Sequence, residues 1–135
     1  MGDDLSNTIL LIEDSTSDAE LTIRGLKRLS NPVVWVKSPE EALDYLKKCG
    51  GDLPMMLLLD LAFPGHSNGM DFLRHIRRTP EWKDLKVVIL TQDETEAPRA
   101  YGHQVELYMV KPGNLSKLMT LIDNMEFVFE IMAKV

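Results

Sequence analysis

Short apolar runs alternate along this chain with longer stretches of helical periodicity. The most apolar run is Met55-Met56-Leu57-Leu58-Leu59, and it stops on Asp60. Such a run is too short for a lone helix and too uniformly apolar for a strand with one wet face. It predicts a central strand of a parallel sheet, covered on both sides. Thr8-Ile9-Leu10-Leu11-Ile12 is similar and ends on Glu13-Asp14. Val33-Val34-Trp35-Val36 is β-branched and aromatic, as strands favour. Lys86-Val87-Val88-Ile89-Leu90 ends on Thr91, and a last run from Val105 to Val110 ends on Lys111-Pro112.

Helical patterns fill the intervals. Ser15, Thr16, Ser17 and Asp18 offer cap-type side chains before an apolar face of Ala19, Ile23, Leu26 and Leu29, which fades at Ser30-Asn31-Pro32. Ser38 as cap, Pro39 in the first helical position and Glu41 as partner of a capping box open a second helix. Its face is Ala42, Leu43, Tyr45 and Leu46, and Gly50-Gly51 end it. Leu61 to Gly69 is rich in turn formers and reads as a loop, followed by a helix from about Met70 to Arg78 that buries Phe72, Leu73 and Ile76. Arg74, Arg77 and Arg78 fall on its solvated side. Gln92 to Gln104, with Pro98 inside, is the least helical stretch, and a last helix starts at Asn114 or Ser116. Five strands alternating with helices predict a doubly wound α/β domain: a parallel sheet joined by right-handed crossovers, with helices on both faces.

Composition narrows the setting. At 135 residues, with no linker, repeat or low-complexity segment, the chain reads as one domain over 1–135. The formal charge of −6 without a basic stripe argues against nucleic acid as a partner. A lone Cys49 excludes an internal disulfide and fits a reducing, cytoplasmic compartment. No apolar run reaches the length of a membrane span. The opening Met1-Gly2-Asp3-Asp4-Leu5-Ser6 formally matches an acylation pattern, but its acidic neighbours weigh against it. His66, His75 and His103 share no metal-ligand spacing with one another or with Cys49.

The chemistry gathers at the strand ends. Glu13, Asp14, Asp60, Thr91 and Lys111 lie far apart in sequence, yet this architecture brings them to one edge of the sheet, where open α/β folds bind ligands. Carboxylates that close repel one another and call for a divalent cation; oxygen ligands favour Mg2+. A hydroxyl and an ammonium opposite suit phosphoryl oxygens. Together they suggest a carboxylate nucleophile that takes a phosphoryl group. Taken singly each has a plainer reading. Asp60 alone is a helix cap, Glu13 and Asp14 alone are charges that favour a helix dipole, and Lys111 alone is a solvated lysine.

An acidic pair after the first strand, Leu57-Leu58-Leu59-Asp60-Leu61, the following Pro64-Gly65, Thr91 and Lys111-Pro112 resemble the receiver domain of two-component response regulators, from about Thr8 to Val128. The resemblance implies a flavodoxin-like strand order 2-1-3-4-5 and Asp60 as phosphoacceptor. Glu13, Asp14, Asp60 and the backbone carbonyl of Ala62 would be the ligands of Mg2+. Thr91 is then the switch hydroxyl, Lys111 the phosphate-facing lysine with a cis bond to Pro112, and Tyr108 the aromatic rotamer switch. A sensor histidine kinase or phosphotransfer protein would be the donor. Glu41-Ala42-Leu43-Asp44-Tyr45-Leu46 and the lack of an output domain resemble the small regulators partnered with bacterial phytochrome kinases.

Some features depart from the family. Gly69 lies one position further from Asp60 than is commoner, and the span from Thr91 to Lys111 is short, so the fourth helix is expected to be short or irregular. The core is expected over about 8–128. A C-terminal helical extension, 125–133, is apolar on nearly all sides through Met125, Phe127, Val128, Phe129, Ile131 and Met132. That predicts a homodimer or kinase-docking surface. The expected function is that of a stand-alone phosphoacceptor rather than a metabolic enzyme; the alternative is a pseudo-receiver adaptor that signals without phosphorylation. A dehalogenase-type hydrolase would need a second carboxylate where Ala62 stands.

Overall fold

The computed structural model describes residues 8–27, 31–60, 67–91 and 107–110, with side chains at 60, 67–70, 90–91 and 107–110 excepted. The apolar runs form strands and the periodic stretches form helices, in the order β1 (Ile9–Ile12), α1 (Thr16–Leu26), β2 (Val33–Val36), α2 (Pro39–Cys49), β3 (Met56–Asp60), α3 (Ser67–Arg78), β4 (Lys86–Thr91) and β5 (Leu107–Val110). All pairings are parallel, and the strands lie side by side as β2-β1-β3-β4-β5.

Alternation along the strands divides the core in two. Leu10, Ile12, Leu57, Leu59, Val87 and Ile89 point to the side of α2 and α3, where they meet Ala42, Leu46, Phe72, Leu73 and Ile76. Ile9, Leu11, Met56, Leu58 and Val88 point the other way and meet Ala19 and Leu26 of α1. The strand residues on both sides are 0% exposed, which is why β1 and β3 read as continuous apolar runs. Each such Leu or Ile contributes about 1.5–3 kcal/mol relative to exposure.

The helix starts follow their capping residues. Ser15 Oγ accepts from the Asp18 amide at 3.3 Å, and Ser38 Oγ accepts from the Glu41 amide at 3.1 Å. The capping box on α2 differs from expectation. The Glu41 carboxylate accepts from the Lys37 amide at 2.8 Å, one residue before the cap, so it ties down the incoming chain. Gly50 ends α2 at φ 60° and ψ −120°. A Cβ there meets nothing within 4 Å, so what selects glycine is the backbone conformation, not space.

Helix α3 begins at Ser67, three residues before the predicted start. Ser67-Asn68-Gly69 has turn composition, but the first turn of a helix owes no amide to an earlier carbonyl, so weak helix formers are tolerated there. Arg77 is also corrected. Its Nη1 donates to the carbonyls of Lys83 at 2.9 Å and Leu85 at 2.7 Å, so it clamps the segment entering β4 instead of facing only solvent. Arg74 and Arg78 are exposed as expected.

Candidate functional site

The strand register sets out the site. Ile12 pairs with Leu59, so Glu13 and Asp60 follow side by side on adjacent strands at the carboxyl edge. Neighbouring strands lie about 4.8 Å apart. Asp60 pairs with Leu90, which places Thr91 one step further along β4. Thr91 in turn pairs with Val110, the residue before Lys111. Tyr108 is on β5 opposite Ile89. The parallel sheet therefore brings Glu13, Asp60 and Thr91 to one edge, as the sequence predicted. Ala62, Lys111, its bond to Pro112, His66, His103, the region of the fourth helix and the C-terminal extension lie outside the described residues.

The acid pair is held closely. Glu13 is 1% exposed, while Asp14 is exposed at the mouth of the sheet. The Glu13 amide donates to the Val36 carbonyl at 3.0 Å, which extends the β1–β2 pairing by a step. Its carboxylate accepts from the Ser15 amide at 3.1 Å, and its carbonyl accepts from the Trp35 indole Nε1 at 2.8 Å. The pair also immediately precedes the amino end of α1, where the helix dipole favours negative charge. That is the plain reading of these acids, and it operates alongside any ligand role.

Hard oxygen donors at a strand-end edge fit Mg2+ in kind. Among the described residues no group of three metal-ligand side chains forms, the Asp60 carboxylate being outside them. Glu13 and Asp14 are thus the described part of the candidate ligand set. Sequence reasoning missed Trp35, which it read only as a strand former. A tryptophan seeks a partner for its indole N–H when half-buried, and that was the available signal. His75 is exposed, with its ring 6.0 Å from that of Trp82.

This fold and strand-end set define a class. The chain belongs to the response regulator receiver domain family, which matches residues 9–123. Among its relatives is the probable methanogenesis regulatory protein FilR2 of Methanothrix harundinacea (strain 6Ac), 34% identical over 87% of this chain and 80% of that protein. The chain is also similar to two solved structures. One is the phosphorylated cyanobacterial phytochrome response regulator RcpA, with TM-score 0.77, 30% identity and coverage of 89% of this chain and 91% of that one. The other is the Mn2+-bound form of response regulator Rcp1, with TM-score 0.74, 29% identity and the same coverage of 89% and 91%.

The protein is therefore a receiver domain of phosphorylation-based two-component signalling, a signalling module rather than a metabolic enzyme. At the level of the family this brings Mg2+-assisted phosphotransfer and histidine-kinase or phosphotransfer partners. No helix among the described residues is long and apolar enough to cross a membrane.

Proposed function

We propose that Asp60 is the phosphoacceptor and that Glu13, Asp14, Asp60 and the backbone carbonyl of Ala62 hold Mg2+ beside it. The observation that carries this reading is the β1–β3 register, which sets Glu13 next to Asp60 at the carboxyl edge. A carboxylate oxygen of Asp60 forms a bond to phosphorus as the phosphorus–nitrogen bond of a donor phosphohistidine breaks, and the histidine nitrogen keeps the electron pair. The bound cation supplies neutralising charge for the phosphoryl oxygens. The Thr91 hydroxyl and Lys111 ammonium take the remaining oxygens, and Thr91 with Tyr108 carries the change to the surface. The donor is a sensor histidine kinase or a phosphotransfer protein, and output runs by protein–protein contact. That RcpA has been solved phosphorylated and Rcp1 with Mn2+ supports the same chemistry here.

The full fold in this reading is doubly wound and flavodoxin-like, with helices after β4 and β5 completing one domain over 1–135. The apolar extension 125–133 then supplies a homodimer or kinase-docking face. A free Cys49 supports a cytoplasmic setting. The test is incubation with acetyl phosphate and Mg2+, followed by intact-mass analysis of wild type and Asp60→Asn. A hydroxylamine-labile phosphoryl adduct on wild type alone is the expected result. An adduct that persists in Asp60→Asn overturns the assignment of Asp60, and none on wild type favours the pseudo-receiver.

A further inference from the structure

We infer that Trp35 is a positioning residue for the Glu13–Asp14 acid pair, acting through its indole N–H on the peptide that joins the two acids. This rests on the metal-site reading above. Trp35 lies on β2, opposite Leu11, at the edge of the sheet. Its side chain packs against the buried cluster on the α1 side that includes Leu11 and Ala19, and Lys37 Nζ sits 5.5 Å from the ring centroid. The ring thus has apolar packing on the α1 side and a cation over its face. Its Nε1 is its only polar atom and reaches the Glu13 carbonyl at 2.8 Å.

That carbonyl belongs to the peptide unit between Glu13 and Asp14. The unit is planar, so fixing the direction of the carbonyl also fixes the Asp14 amide and the position of the Asp14 Cα, to which the side chain is attached. One residue earlier, the Glu13 amide is tied to the Val36 carbonyl. One residue later, the Ser15 amide is tied to the Glu13 carboxylate, and the Ser15 carbonyl takes the Ala19 amide at 2.9 Å to start α1. Successive peptide units of the acid loop are therefore each fastened, and the edge strand provides two of the fastenings at Glu13. A loop already set in its binding geometry loses less freedom when it takes a ligand. Without the indole bond, the Glu13–Asp14 peptide loses one of its fastenings, and part of the ligand's binding free energy goes into re-ordering it.

The experiment compares wild type with two replacements at position 35: Trp35→Phe, and 3-benzothienylalanine, which keeps the bicyclic shape but has sulfur where the N–H was. Mg2+ affinity is read by calorimetry and Mn2+ affinity by electron paramagnetic resonance, with thermal unfolding of the metal-free proteins as the check on folding. Loss of one net hydrogen bond predicts binding weaker by about threefold to tenfold for both replacements. The benzothienyl protein should unfold within a few degrees of wild type. Wild-type affinity in the benzothienyl protein overturns the proposal, because ring shape alone then suffices, even if Trp35→Phe is impaired. Failure of wild type itself to bind either cation instead overturns the metal-site reading on which the proposal rests.

Discussion

Arg77 offers a test of how the chain is fastened as it enters β4. Its Nη1 reaches the carbonyls of Lys83 and Leu85, six and eight residues on, and so closes the turn after α3. Replacement by Met keeps most of the apolar stem but removes the donors. The bond to Leu85 is part-buried and charge-assisted, so its loss costs about 1.5–2 kcal/mol. The bond to Lys83 is exposed, water replaces it readily, and about 0.5 kcal/mol is a fair value there. The sum is about 2 kcal/mol, which for a domain of this length lowers Tm by roughly 6–8 °C. Differential scanning calorimetry of wild type, Arg77→Met and Arg77→Lys gives the answer. The lysine variant should recover part of the loss, since an ammonium keeps the charge but lacks the planar fork. A Tm for Arg77→Met within about 2 °C of wild type would refute the reasoning, because the clamp would then contribute no more than an ordinary surface side chain.

Two other measurements address the core and the lone thiol. Leu58→Ala removes a 0% exposed side chain from the α1 side of the central strand. It should cost about 2–5 kcal/mol, read as a lower urea midpoint with little change in slope; a loss below about 1 kcal/mol would mean that this face closes over the cavity. At Cys49, burial pushes the thiol above its ordinary range. The Asp52 charge adds to this, and a hydrogen bond with Tyr45 pulls the other way. The folded state therefore favours the neutral thiol, and that contribution is full below the unfolded pKa and lost as pH rises through the folded one. The midpoint of the pH profile for iodoacetamide alkylation should lie higher in the native protein than in urea, and coincident midpoints would contradict it.

Much of this fold was legible because its central strands are extreme. Met56 to Leu59 and Ile9 to Ile12 are buried on both faces, and only a covered parallel sheet asks for apolar residues at every position. The caps Ser15 and Ser38 were legible for a local reason, since a cap acts within three residues of itself. What escaped depended on partners distant in the chain. Arg77 sits on the polar side of its helix by periodicity, and nothing in that period says that a long side chain will reach forward to Leu85. Trp35 fits any strand, and its bond to Glu13 follows only from the register Leu11 to Trp35, which the pattern of apolar residues does not specify. The start of α3 was misplaced because Ser67-Asn68-Gly69 reads as a turn when the demands on a first helical turn are left out. Within the site, the order of the strand ends was readable, while the anchoring of the acid loop was not.

The position of β2 has a consequence for the molecule's fluctuations. Strands β1, β3 and β4 form the interior of the sheet, whereas β2 has a neighbour on one side only among the described residues and its residues are all partly exposed. Edge strands open more easily than central ones, and amide hydrogen exchange reports that opening. Yet this edge strand supplies Val36 and Trp35 to Glu13, so fraying of β2 also releases the acid loop at the sheet's carboxyl edge. A ligand that favours the ordered loop must then, by mass action, slow the opening of a strand it does not touch. An edge strand of the sheet is thereby the one whose exchange rate would register occupancy of the candidate site.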